Sequence, residues 1–248
     1  MTTRLGPDGR WVVVAIDHPL YSWPCQNLAD RARLLHAVTS AGADAVIASY
    51  GTIRDCREAF GNARPILKLD LTTVDVGGHY PVSEYVLAWS VDDARRLGAD
   101  TVLTYVQLGT PFELSALRNA ARVAAACDAA GSTYMCEIMP ADSEPPKPPD
   151  GEALYVAAAC RVGAELGAHV IKTMLPQPPG ALQQATSFGV PVLVAGGAPV
   201  PDLGQLLGCV RTAMIAGAAG VAFGRNVWGA EDPAAVVAAL RDIVHSHS

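Results

Sequence analysis

Apolar residues in this chain fall into short runs of four to six, separated by longer stretches of helical periodicity. One joint recurs four times: AGADAVIA at 41–48, LGADTVLT at 97–104, LGAHVIKT at 166–173 and AGAAGVAF at 216–223. In each, a helical pattern ends, a glycine follows, and an apolar run begins. Glycine just past a helix end adopts the left-handed cap at little steric cost. An apolar run without polar alternation fits a strand buried on both faces, as in a parallel sheet. The pattern predicts eight strands: Trp11–Ile16, Ala43–Ala48, Pro65–Leu69, Asp100–Tyr105, Thr133–Ile138, His169–Thr173, Val190–Ala195 and Gly220–Phe223. Helical patterns such as Glu113–Ala130 and Glu152–Leu166 lie between them.

Alternating strands and helices predict an α/β fold with a parallel sheet. Eight strands in 248 residues favour a single-domain (β/α)8 TIM barrel spanning 1–248. An open doubly wound sheet is the alternative, weakened by the lack of a GxGxxG after the first strand. Two segments break the rhythm, an insert at 71–89 and the proline-rich loop 140–151. Both follow strand C-termini, where barrels of this type place their active sites.

Composition narrows the functions. Net charge is −6, charged residues make up 17% of the chain, and no basic block occurs. A nucleic-acid partner is therefore not expected, because it needs a clustered basic face. No run approaches the ~20 apolar residues of a membrane span, and the N-terminus has no apolar signal core. The six cysteines lack C-x-x-C spacing, so no disulfide framework is expected and they read as buried or incidental thiols. These features point to the cytoplasm.

The strand ends carry the candidate chemistry. The chain has only three lysines, Lys68, Lys147 and Lys172, among 18 basic residues. Lys172 lies inside the apolar run V-I-K-T-M-L. Burial disfavours an ammonium, so its pKa is expected to fall, and a free amine attacks a carbonyl to form a Schiff base. The plainer reading is a lysine that snorkels to the rim or pairs with a carboxylate. Lys68, in PILKLD, has Asp70 two residues on and hence on the same face; it reads as a charge-paired support residue or as a rival nucleophile. Asp17 closes the first strand and either moves a proton or caps the next segment. His18 either transfers a proton or holds the loop. Glu137 either pairs with a lysine or acts as acid and base. After the last two strands, LVAGGAP and VAFGRNVWG place Gly196, Gly197, Gly224 and Arg225 where backbone N–H groups and a guanidinium can cradle a phosphate.

Taken together, I-D-H after strand one, P-I-L-K-L at strand three, L-G-A-x-x-I-K at strand six, V-A-G-G at strand seven and G-x-A-x-G-R-N-x-W at strand eight resemble the archaeal-type class I fructose-bisphosphate aldolases. That family includes 2-amino-3,7-dideoxy-heptulosonate synthases and a thiolase acting on a phosphorylated signalling sugar. The resemblance runs in order over residues 11 to 246. It implies a (β/α)8 barrel, Lys172 as the Schiff-base lysine, help from Asp17, phosphate held by Gly196, Gly197, Gly224 and Arg225, no cofactor or metal, and a homo-oligomer.

The sequence departs from the family at strand five. The family reads Y-P-R-G or F-P-R-G there, and a tyrosine serves as the acid/base. Here the stretch is EIMPADS, with Met139 at the tyrosine position and Ala141 at the arginine. Either Glu137, a neighbour such as Tyr105, or a residue of the insert then moves the proton, or the reaction differs from the family's ordinary one. DHPLYSWP also replaces the family's D-H-G loop. The expected activity is that of a Schiff-base aldolase (an aldehyde-lyase of carbohydrate metabolism) that joins or splits a phosphorylated keto substrate and an aldehyde, with dihydroxyacetone phosphate as one half. The alternatives are a specialised synthase of the amino-deoxy-heptulosonate type, thiolase-type acyl transfer, and a lapsed barrel that only binds sugar phosphate.

Overall fold

The computed structural model describes residues 5–76, 83–140 and 151–246. Eight parallel strands close into a barrel in sequence order: β1 (Trp11–Ala15), β2 (Ala45–Ala48), β3 (Arg64–Lys68), β4 (Thr101–Leu108), β5 (Thr133–Pro140), β6 (Val170–Met174), β7 (Val192–Ala195) and β8 (Gly220–Phe223). This is the (β/α)8 architecture, and closure of β8 onto β1 rules out the open sheet. All eight expected strands are present. β4 and β5 run on to Leu108 and Pro140, because they pair with each other over their whole length.

The recurring glycine joint folds as its sequence predicts. Gly42, Gly98, Gly167 and Gly217 all have positive φ, between 73° and 96°. Each reverses the chain from a helix into the next strand. Closure depends on another glycine. At Gly220 φ is 137°, and a Cβ there would lie 1.9 Å from the Trp11 carbonyl oxygen. A side chain at that position would force β8 away from β1.

Alternation along the strands sorts residues into two layers. Trp11, Val13, Ile47, Ile66, Leu103, Met135, Val170 and Leu193 fill the lumen. Val12, Val46, Leu67, Val102, Cys136, Ile171 and Val194 face the surrounding helices. Among these helices are α1 (Arg31–Ser40), α2 (Tyr50–Asp55), α3 (Val91–Arg96), α4 (Glu113–Ala130), α5 (Gly151–Glu165), α6 (Leu182–Thr186), α7 (Leu203–Ile215), α8 (Arg225–Trp228) and α9 (Pro233–His245). Side-chain caps from Asp30, Ser49, Ser90, Asp202 and Asp232 start five of them. The six cysteines are all free.

Below the barrel, α9 is clasped to the N-terminal segment. The two ring nitrogens of His245 lie 2.5 Å from Asp8 and 2.9 Å from Asp44. Asp44 also accepts the Val12 N–H at 2.6 Å. The polar groups of this face are satisfied by one another.

The insert forms two small ladders. Ser22–Trp23 pairs with Asp75–Val76, and Asp70–Leu71 pairs with Val86–Leu87. Its remainder, 77–82, lies outside the described residues. So do residues 141–150 of the proline-rich loop, including Ala141 and Lys147.

Candidate active site

The site is built on the strand C-termini, from residues that alternate into the lumen above the apolar layers. Lys172 follows Val170 on the inward face of β6 and is buried, so it neither snorkels outward nor packs among the helices. Register places Glu137 of β5 beside it, and Tyr105 of β4 beside Glu137. The Lys172 ammonium nitrogen lies 2.7 Å from Glu137 Oε1. The ion-pair alternative for Lys172 is met, with the amine still on the lumen side of the strand. A carboxylate at that distance can also receive a proton from the amine.

Lys68 occupies a deeper layer, aligned with Leu103 and through it with Met135. Its nitrogen reaches up to Asp70 Oδ1 at 2.6 Å, and Asp70 Oδ2 accepts the Tyr105 N–H at 2.7 Å. The Tyr85 and Tyr105 rings each lie with their centroids 5.8 Å from the Lys68 nitrogen. Burial pulls the Lys68 pKa down, but Asp70, Asp17 and Glu137 together push it above the ordinary lysine value. Lys68 is a fixed cation.

The β1 turn supplies the other side of the mouth. The backbone carbonyl of Asp17 accepts the Leu20 N–H at 2.9 Å and closes a short 3-10 turn over His18–Leu20. The Asp17 side chain makes no capping bond. It is buried, and among the described residues its Oδ1 has no hydrogen-bond partner. A capping role for this carboxylate is therefore excluded. His18 packs between Tyr21 and Trp228, with both ring centroids 5.3 Å away. Its Nδ1 and the Trp228 Nε1 are likewise buried and unpartnered among the described residues. Burial lowers the His18 pKa, with Asp17 opposing and Lys172 reinforcing the shift, so the imidazole is neutral.

The two glycine turns converge beside this group. At Gly224 an added Cβ would lie 2.3 Å from His18 Cε1 and 3.0 Å from the Ala15 carbonyl oxygen. At Gly196 it would press on Phe223 and Asn226, and Gly197 needs a φ of 64°. Asn226 ties the turns together. Its Nδ2 donates to Gly196 O at 2.8 Å and Ala198 O at 3.1 Å, while its Oδ1 accepts the Val200 N–H at 2.7 Å. Arg225 follows Gly224 and opens α8.

Of the nine candidate site residues, Lys172 and Glu137 lie within their strands, Lys68 ends β3, and the others lie in the turns after strands or at the start of α8. Sequence reasoning quoted Asn226 and Trp228 within G-R-N-x-W and Tyr21 within DHPLYSWP, but gave none of the three a role. The first follows Gly-Arg directly, and a buried amide beside two glycine turns was a readable signal. Trp228 meets the ring of His18 some 200 residues away, a contact no local pattern reports, whereas Tyr21 lies against His18 within the same turn. Among the described residues no group of three or more His, Cys, Asp or Glu side chains could hold a metal ion. Among them, too, no helix is long and apolar enough to cross a membrane.

Comparison with known proteins gives the family. The sequence profile of the DeoC/LacD family aldolases matches residues 11–230. The chain is 32% identical to 2-amino-4,5-dihydroxy-6-oxo-7-(phosphonooxy)heptanoate synthase of Streptomyces griseus, over 97% of its own length and 86% of the relative's. It is also 32% identical to 2-amino-3,7-dideoxy-D-threo-hept-6-ulosonate synthase of Halobacterium salinarum, over 98% and 89%. Among solved structures it resembles an archaeal fructose-1,6-bisphosphate aldolase whose catalytic lysine is covalently bound to the carbinolamine intermediate of its substrate. The TM-score is 0.83 at 25% identity, covering 97% of this chain and 96% of that one.

Proposed function

Because the chain belongs to the DeoC/LacD family of aldolases, we propose that it is a Schiff-base-forming class I aldolase that makes or breaks a C–C bond in a phosphorylated ketose or related keto substrate. Dihydroxyacetone phosphate is one half of the reaction and an aldehyde the other. The observation that carries this reading is the inward, buried Lys172 with Glu137 at 2.7 Å, on the same face as the cross-tied glycine turns.

Glu137 takes the Lys172 proton, and the free amine adds to the ketone. Loss of water leaves an iminium that draws electrons from the adjacent carbon. Asp17 or Glu137 removes the proton from that carbon, and the enamine attacks the aldehyde. Gly196, Gly197, Gly224 and Arg225 hold the phosphate through backbone N–H groups and a charge-assisted bond. The fixed Lys68 charge adds to the positive potential of the mouth and favours an anionic substrate. His18 positions the β1 turn against Gly224. The iminium is the electron sink, so the reaction needs neither metal nor organic cofactor. In this reading the enzyme works in the cytoplasm as a homo-oligomer, each chain one barrel domain over 1–248.

A narrower second reading is favoured by the two 32% identical relatives, both synthases of seven-carbon keto acids. A 4,5-dihydroxy-6-oxo-7-(phosphonooxy)heptanoate carries the aldol pattern. Cleavage between C4 and C5 gives dihydroxyacetone phosphate and a four-carbon amino acid aldehyde. Incubating the protein with dihydroxyacetone phosphate and an aldehyde panel that includes 2-amino-4-oxobutanoate, with product masses as readout, tests both readings. A condensation product with any member supports the aldolase, and a preference for the amino acid aldehyde supports the synthase. No product with any member removes dihydroxyacetone phosphate from the account.

A further inference from the structure

β7 and β8 stay paired as far as Ala195 and Ala222. Beyond that point the two glycine turns leave the sheet, and one side chain joins them. Asn226 is buried, and both Nδ2 protons are used, on Gly196 O at 2.8 Å and on Ala198 O at 3.1 Å. Its Oδ1 accepts the Val200 N–H at 2.7 Å. These partners fix the amide's orientation, because carbonyl oxygens must face the donor nitrogen and an N–H must face the acceptor oxygen. A single amide thus grips three alternate residues of the turn after β7. The approach is close. A Cβ added at Gly196 would lie 3.2 Å from Asn226 Nδ2 and 3.0 Å from the Phe223 ring.

This grip orients a backbone donor. The Gly196–Gly197 peptide is trans. Across a trans peptide the carbonyl and the following N–H point in opposite directions. With the Gly196 carbonyl held by Asn226, the Gly197 N–H faces away from the amide. Among the described residues neither the Gly197 N–H nor the Gly224 N–H donates to an acceptor. Unpaired N–H groups on neighbouring turns are what an anion needs. The Gly224 carbonyl accepts the Val227 and Trp228 N–H groups at 2.8 and 3.1 Å, which closes the turn carrying Arg225 and Asn226. Asn226 therefore fastens the Arg225 turn to the Gly196–Gly197 turn.

We propose that Asn226 is a positioning residue that sets selectivity for a phosphorylated over an unphosphorylated ketone. It acts through the backbone, by holding the Gly197 and Gly224 N–H groups and Arg225 as one cradle. The inference rests on the Schiff-base and phosphate reading above and deepens it. Without the amide, the Gly196–Gly197 peptide is free to turn. The phosphate end of the substrate then loses a fixed donor, whereas the ketone end still meets Lys172.

Borohydride trapping on Lys172, run in parallel with dihydroxyacetone phosphate and with dihydroxyacetone over a range of concentrations, separates this role from others. Asn226→Ala removes all three bonds, and Asn226→Asp keeps the acceptor but removes both donations. In each variant the ratio of trapping efficiency, phosphate ester to free ketone, is expected to fall ~10-fold or more, the worth of one hydrogen bond to a charged group. The fall should appear in the half-saturating concentration of dihydroxyacetone phosphate rather than in the trapping rate at saturation. An unchanged ratio overturns the proposal, whether both ketones are trapped normally or both decline in parallel. So does a loss seen only in the saturating rate, and so does failure of both variants to fold, which marks a structural residue. The parent reading fails separately, in the unmodified protein, through absence of an adduct on Lys172 or through equal trapping of the two ketones.

Discussion

Two lysine–carboxylate pairs share the barrel lumen, and they differ in what their carboxylates can do. Lys68 and Asp70 come from one strand and its immediate extension and are 3% and 1% exposed. Asp70 is also bound by the Tyr105 N–H, so each of its oxygens already accepts a bond. Lys172 and Glu137 come from neighbouring strands and are 7% and 13% exposed. They sit one layer nearer the mouth. Of the two, the deeper pair is an electrostatic fixture. The upper pair can pass a proton and meet a substrate. Equal distances, 2.6 and 2.7 Å, therefore do not imply equal roles.

Breaking the pairs one at a time sharpens the contrast. Lys68→Met leaves the Asp70 carboxylate buried without its cation. It should cost about 3–5 kcal/mol of stability, read by denaturant unfolding. A loss below about 1 kcal/mol would mean that Asp70 is not held as an ion. Glu137→Gln keeps a hydrogen-bond acceptor beside Lys172 but removes the proton acceptor. Imine formation should slow ~100-fold while stability changes little. If stability collapses and imine formation does not, the two pairs have been assigned the wrong way round.

Alkaline titration gives a smaller effect that tests the deeper pair in the intact protein. The Lys68 pKa is raised above 10.5, and burial pushes Tyr85, Cys136 and Cys160 up to about 12. A group raised on folding contributes stability below its unfolded pKa and loses it as pH rises toward the folded value. Between about pH 9 and pH 12 the folded state holds protons that the unfolded state has released. The denaturant midpoint should fall steadily across that window, and a flat midpoint would contradict this.

The mouth and the floor of the barrel differ in the same sense. On the floor His245 satisfies Asp8 and Asp44. At the mouth Asp17 Oδ1, His18 Nδ1 and Trp228 Nε1 are buried without hydrogen-bond partners among the described residues, the first two lying 3.9 Å from each other. Buried polar atoms without hydrogen-bond partners are costly, which sets the mouth apart from the satisfied floor.

Much of this was legible in the chain. Glycine joints and unbroken apolar runs located the strands, because parallel barrels impose one local grammar at every turn. Lys68 and Asp70 were readable as a pair, since two residues on one strand share a face. The Lys172–Glu137 contact was not, because it depends on the register between β5 and β6. Asn226 itself was readable beside Gly-Arg, but its three bonds were not, because they reach back 26 to 30 residues into the loop after β7. The packing of His18 on Trp228 depends on closure of the first and last strands, a global property.

The most direct measurement is borohydride reduction in the presence of dihydroxyacetone phosphate, followed by peptide mass mapping. A reduced adduct on Lys172, with none on Lys68 and none at all in Lys172→Met, is the predicted result. An adduct on Lys68, or no adduct on the unmodified protein, would contradict the account.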